Sequence, residues 1–139
     1  MDQFKYYAPT RILFGKNTEA EVGELCQAQG AGKVLVHFGG SSAQRSGLLD
    51  RICQSLQAAG LPYVTLGGYG ITNPGDVWDY YSGKAPQACA PVGAVLTIAA
   101  AGSEMSNASV ITNEDGWLKR GLQSPYAYCK FAILNPELT

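Results

Sequence analysis

Lys33-Val-Leu-Val-His-Phe38 is a near-continuous apolar run that stops on Gly39-Gly-Ser-Ser42. A strand without polar alternation is the kind buried on both faces of a parallel sheet. Downstream, Leu48, Leu49, Ile52, Leu56 and Ala59 recur at helical spacing, which predicts a helix over residues 46–59, ended by Gly60. Leu61-Pro-Tyr-Val-Thr-Leu66 then reads as a second strand. Strand, helix and strand form a β-α-β unit, whose crossover is right-handed. Its strand-to-helix turn is where such a unit takes a nucleotide, although a plain turn explains the same four residues equally well.

A second stretch repeats the pattern. Ala94-Val-Leu-Thr-Ile-Ala-Ala-Ala-Gly-Ser-Glu-Met-Ser106 begins as a strand, over residues 92–98, and ends in small and hydroxylated residues. Ligands of open α/β sheets sit beyond the carboxyl ends of strands. Small side chains let a ligand approach the backbone, and Thr97, Ser103 and Ser106 supply hydroxyls. The plainer reading is a strand and a polar turn, since Gly-Ser-Glu alone is a weak signal.

The other segments fill in a mixed α/β domain. Phe4 to Gly15 holds two β-prone runs around Pro9, read as a hairpin or paired edge strands. Thr18 is placed to cap a helix over residues 19–29, with Val22, Leu25 and Cys26 on one face and Gly30 closing it. Glu19, Glu21 and Glu24 fall in its first turns, where the helix dipole favours anions. Residues 67–75 read as a loop, 76–81 as a short helical turn, and 82–91 again as loop. Ala108 to Thr112 and Trp117 to Arg120 flank Asn113-Glu-Asp-Gly116, a hairpin signal. Tyr128 to Leu134 is the last strand.

Composition excludes several functions. A net charge of -1 argues against nucleic acid or an acidic membrane as partner. No apolar run is long enough to span a bilayer, and the first residues lack a signal-peptide pattern. The cysteines, Cys26, Cys53, Cys89 and Cys129, are scattered without a C-x-x-C pair. That suggests a reducing, cytoplasmic compartment with no disulfide framework and no zinc site. The one histidine, His37, makes a poor metal cage and reads as a strand residue packed near the sheet rather than a catalytic base. The Gly39–Ser42 turn carries no carboxylate to hold a ribose 2′-hydroxyl, so NADP is favoured over NAD.

Taken together, these stretches resemble a known family. Ala8-Pro-Thr-Arg-Ile-Leu-Phe-Gly15, Gly39-Gly-Ser41, Asn73-Pro74, Leu96 to Met105, the Val110-Ile-Thr-Asn113 run with Lys119, and Leu134 to Thr139 are similar to the iron-containing alcohol dehydrogenases. The nearest look is to their NADP-dependent butanol dehydrogenase branch. The ordered set is far more specific than any one motif. The resemblance implies a Rossmann-like parallel sheet with flanking helices, coupled in the family to a helical metal domain. It implies hydride transfer between an alcohol and NAD(P), with iron or zinc polarising the substrate oxygen. It also makes association into a homodimer compatible with the N-terminal strands.

Residue by residue, the resemblance implies that Gly39, Gly40, Ser41 and Ser42 surround the adenosine ribose and its 2′-phosphate. Asn73 would lie on the adenosine side. Thr97 and the loop through Ser103 would run along the pyrophosphate and nicotinamide ribose, with Ser106 nearby. Lys119 would hydrogen-bond a cofactor ribose, although by itself it reads as a solvated hairpin lysine. No catalytic residue and no metal ligand is expected in this chain.

Two departures limit what is carried over. The family has a block between its Asn-Pro loop and the Gly-Asp-x-Trp-Asp segment, holding a strand and a glycine-rich pyrophosphate loop. Here Asn73-Pro74 runs directly into Gly75-Asp-Val-Trp-Asp79. The sequence also stops at Asn135-Pro-Glu-Leu-Thr139, ahead of the family's metal domain. The expectation is a single incomplete dinucleotide-binding domain, inactive alone. A sheet that loses an interior strand must re-pair its neighbours or leave an edge open. The alternatives are a non-catalytic interaction module of the same fold, a glycerol dehydrogenase or dehydroquinate synthase type of enzyme, and a flavodoxin-like nucleotide binder.

Overall fold

In the computed structural model, which describes residues 7–67 and 76–138, the expected crossover unit forms. Strand β1 is Arg11–Phe14, and helix α1 is Val22–Ala28 after a 3-10 turn at Thr18–Glu21. Strand β2 is Val34–Phe38, followed by α2 (Ser42–Arg45), α3 (Leu48–Ala58) and β3 (Tyr63–Gly67). Then come α4 (Trp78–Tyr81), β4 (Gly93–Val95), β5 (Ala108–Asn113), β6 (Leu118–Gln123) and β7 (Phe131–Leu134).

The strands fall into three groups. β1, β7 and β4 form one parallel sheet with β7 central, β2 and β3 form a parallel pair, and β5 and β6 form an antiparallel hairpin. β7 is the natural centre, because Phe131, Ala132 and Ile133 are all buried. Its start is tied to the approach to β1 by the Thr10 hydroxyl, which donates to the Cys129 carbonyl at 2.8 Å. β5 and β6 turn through Asn113 and the residues after it, as Asn-Glu-Asp-Gly foretold.

One helical layer covers the parallel strands. Val22 and Leu25 of α1 and Leu48, Ile52 and Leu56 of α3 pack with Phe131 and Ile133 of β7 in a single apolar core. Each such side chain contributes about 2 kcal/mol by leaving water. α1 and α3 touch closely at Gly23. A Cβ there would strike the Ser55 carbonyl and come within 2.7 Å of the Ala59 Cβ. The Gly23 amide instead donates to the Ser55 hydroxyl at 2.9 Å.

Several expectations are corrected. The Thr18 hydroxyl caps nothing: it donates back to the Gly15 carbonyl at 2.9 Å, and Asn17 precedes the 3-10 turn in a left-handed conformation. The helix expected over 46–59 is α3, Leu48–Ala58; the short helix α2 ahead of it was not expected, and Gly47 adopts a φ of +70° between the two. Gly tolerates that conformation without the steric cost of a side chain. The second run around Pro9 is β1, which pairs in parallel with β7. The first run of that expected pair lies mostly outside the described residues.

β2 is not buried on both faces. Leu35 is 54% exposed and its partner across the ladder, Val64, is 46% exposed, and His37 is exposed on the same face as Leu35. The reason is coverage. α1 and α3 pack on one face only, and among the described residues nothing covers the other. The open-edge outcome holds as well: β2 has β3 on one side and no strand on the other among the described residues. No described helix is long and apolar enough to cross a membrane.

Candidate functional site

A cavity of about 350 Å3 lies between β2 and β4. Its floor is apolar, from Leu48, Leu49 and Ile52 of α3 together with Phe131. Its mouth takes Gly39, Gly40 and Ser42 from the turn after β2 and Thr97 from beyond β4. Four residues predicted from two distant stretches thus share one lining. The turn after β2 can approach a ligand closely, since a Cβ at Gly39 or Gly40 would meet nothing within 4 Å. Backbone N–H groups and the hydroxyls of Ser42 and Thr97 are the donors this mouth offers to a phosphate or a ribose.

The other predicted residues are not brought to that lining. The Ser41 hydroxyl is occupied, accepting a hydrogen bond from the Arg45 guanidinium one helical turn later. The Ser106 hydroxyl accepts from the Ala108 amide at 3.0 Å, shaping the entry to β5. The Ser103 carbonyl accepts from the Cys129 thiol at 3.6 Å. Burial, then the Glu104 charge, pushes that thiol above its ordinary pKa, so it stays a donor. Lys119 is exposed on β6, opposite Thr112 in the hairpin. Asn73 lies outside the described residues. His37 is on its strand as expected but exposed, and it lines the cavity wall.

Arg45 is the residue that sequence reasoning missed. Its guanidinium reaches back to Ser41, which fixes a cation beside the Gly-Gly-Ser-Ser turn. Its spacing of four from Ser41, one turn of helix, was the available signal. The buried carboxylate of Glu19 was also missed. It accepts from Arg51 Nε at 2.8 Å and from Asn135 Nδ2 at 2.9 Å, and it does not line the cavity. Among the described residues, no three His, Cys, Asp or Glu side chains converge as a metal-binding group.

Comparison with known proteins identifies the family. The family model described as iron-containing alcohol dehydrogenase matches residues 9–74 and 66–136. Probable NADH-dependent butanol dehydrogenase 1 of Bacillus subtilis is 32% identical over the whole chain, which covers 46% of that relative. The NADPH-dependent aldehyde reductase YqhD of Escherichia coli is 26% identical, with the same coverage. The crystal structure of NADH-dependent butanol dehydrogenase A from Thermotoga maritima superposes with a TM-score of 0.90 at 28% identity, over 99% of this chain and 45% of that one. The chain thus spans about half the length of the relatives it matches. The two matched segments meet at residues 66–74, and the Bacillus alignment runs over 181 positions against 139 residues here. About 42 positions of that alignment consequently have no residue of this chain. With its mixed α/β fold and a family match running from residue 9 to 136, this chain belongs to the iron-containing alcohol dehydrogenase family.

Proposed function

We propose that the chain is the dinucleotide-binding part of an alcohol dehydrogenase of the iron-containing type, that it favours NADP over NAD, and that it does not oxidise alcohols by itself. The observation that carries the reading is the shared lining of one cavity by Gly39, Gly40, Ser42 and Thr97. The residues of the β2 turn would receive the adenosine ribose, and Thr97 the part of the cofactor that crosses to β4. The bound nicotinamide would supply hydride transfer to or from a small alcohol or aldehyde.

The NADP preference is argued from charge. The turn offers no carboxylate to a 2′-hydroxyl, and Arg45 brings a guanidinium to its edge. A guanidinium suits a 2′-phosphate through paired charge-assisted hydrogen bonds. The relatives' names divide on this point: Bacillus and Clostridium members are called NADH-dependent, the Escherichia one NADPH-dependent. The expected lack of turnover is argued from chemistry: a metal would have to polarise the substrate oxygen, and among the described residues no three His, Cys, Asp or Glu side chains converge to hold one. A cytoplasmic setting and a homodimer complete the reading.

The test is a titration of the purified chain with NADPH and NADH, followed by nicotinamide fluorescence. NADPH should bind saturably and about tenfold or more tighter than NADH, the value of one charge-assisted hydrogen bond. Equal affinities would remove the NADP preference. Absence of binding by either would favour the non-catalytic interaction module. Butanol-dependent reduction of NADP by the chain supplied with iron or zinc would overturn the claim of inactivity.

A further inference from the structure

Another cavity, of about 730 Å3, lies between α4, the loop that follows it and β6. Val77, Tyr80 and Tyr81 line it from the α4 region, Pro86 from the loop and Leu122 from β6. Lys84 lines it as well, and among the described residues it is the only charged side chain to do so. No residue is shared with the cavity between β2 and β4. A concave, mostly apolar lining with one or two polar groups is the usual form of a small-molecule site.

The walls are held from several sides. Trp78 and Tyr81 lie one helical turn apart and stack, with ring centroids 6.1 Å apart and planes 16° apart. The Tyr81 hydroxyl donates to the Ser109 hydroxyl at 2.7 Å, which ties α4 to β5. Arg120 of β6 stands over the Trp78 ring at 5.5 Å and donates to the Tyr81 carbonyl at 3.4 Å and the Ser82 hydroxyl at 3.3 Å. The Lys84 amide donates to the Asp79 carbonyl at 3.0 Å, so the chain folds back after α4. That return leaves the Lys84 ammonium 4.8 Å from the centre of the Tyr80 ring. The ring face attracts the cation without neutralising it. Among the described residues, Lys84 has no carboxylate partner, whereas Lys16 and Arg51 each have one.

We propose that this cavity binds a small organic acid, one carboxylate on an aromatic body. The carboxylate pairs with the Lys84 ammonium through a charge-assisted hydrogen bond. The aromatic body lies against Tyr80, Pro86 and Leu122. The sign of the ligand's charge follows from the lining, which holds a cation and no acid. Of the acids on α4 and just before it, Asp79 and Asp76 do not line the cavity, and the Asp76 carboxylate accepts from the Trp78 amide at 2.8 Å. A single ammonium in apolar surroundings suits one carboxylate, whereas a phosphate group calls for several donors. The volume falls within the roughly 300–1,000 Å3 usual for such ligands. The proposal stands apart from the cofactor reading, because it rests on other residues.

The experiment titrates the isotopically labelled full chain with 2-naphthoate and follows amide chemical shifts. The amides of Val77, Tyr80, Lys84 and Leu122 should shift saturably. The alcohol 2-naphthalenemethanol has the same rings without the charge, and it should bind about tenfold or more weaker, the value of one charge-assisted hydrogen bond. Lys84→Met keeps an apolar stem and should lose the same factor for 2-naphthoate while leaving the alcohol's affinity unchanged. Lys84→Arg should retain most of the binding. Lys84 is exposed, so neither substitution threatens the fold. Shifts confined to Gly39, Gly40, Ser42 and Thr97 would place the acid in the other cavity and overturn the proposal. So would equal affinity for acid and alcohol, full binding by Lys84→Met, or no binding of 2-naphthoate.

Discussion

Asn135 donates its side-chain amide to the Glu19 carboxylate at 2.9 Å, linking positions 116 residues apart. The other oxygen of that carboxylate takes Arg51 Nε at 2.8 Å. Glu19 is 1% exposed, so one buried acid joins the 3-10 turn after β1, the middle of α3 and the residue after β7. Burial by itself would raise its pKa. Its own backbone amide, Arg51 and Asn135 outweigh burial and hold it below its ordinary 4.5.

The folded chain therefore binds fewer protons at Glu19 than the unfolded chain does near pH 4.5. The stability this contributes is fully present above pH 4.5 and is lost as pH falls through the lower, folded value. Glu19→Gln should cost about 1–3 kcal/mol at neutral pH, the value of hydrogen bonds to a buried charged group. It should also flatten the acid limb of the stability profile. Urea unfolding from pH 7 to pH 3 reads both effects.

Gly23 sits where α1 meets α3, and a methyl group there meets backbone rather than a yielding side chain. Gly23→Ala should destabilise by about 1–3 kcal/mol despite the better helix propensity of alanine. Urea denaturation followed by circular dichroism would show the loss. An unchanged midpoint would mean that α1 can slide away from Ser55.

Leu56 is fully buried at the centre of the α3 face. Leu56→Ala removes that packing and should cost about 2–5 kcal/mol, depending on how far the cavity collapses. The same denaturation assay applies.

Arg45 and Lys119 separate two accounts of cofactor binding. Arg45→Ala should erase most of the NADPH preference, about tenfold, with little change for NADH. Lys119→Ala should leave both affinities within about twofold, as befits an exposed surface side chain away from the cavity. Fluorescence titration of the two variants measures this. A large loss at Lys119 would bring the hairpin back into the site.

What could be read from the sequence depended on the range of the interaction. The strands of the crossover unit and the β5–β6 hairpin were legible, because apolar runs and turn residues act over a few positions. The short helix α2 ahead of Gly47 was not, since four residues with one apolar side chain show no period. The exposure of Leu35 and Val64 was not either, because an apolar run reports what a strand can bury and not whether a neighbour is there to cover it. Within the site, Gly39, Gly40, Ser42 and Thr97 were legible as residues beyond strand ends. Arg45 was missed because its role comes from a side chain folding back on Ser41. Glu19 was read as an anion in a helix's first turn, whereas its partners, Arg51 and Asn135, come from distant parts of the chain.

The bond from Thr10 to Cys129 crosses 119 positions, and beside it β1 lies against β7. β1 is made before every other described strand, and its only ladder partner among the described residues is made after all of them. On the ribosome, the α1–α3 layer and the β2–β3 pair can assemble while β1 waits unpaired. Closing so long a loop comes late and is slow, because its entropy is lost before the contacts repay it. During that wait the Arg-Ile-Leu-Phe strand is a bare edge, and nascent chains on neighbouring ribosomes carry the same one.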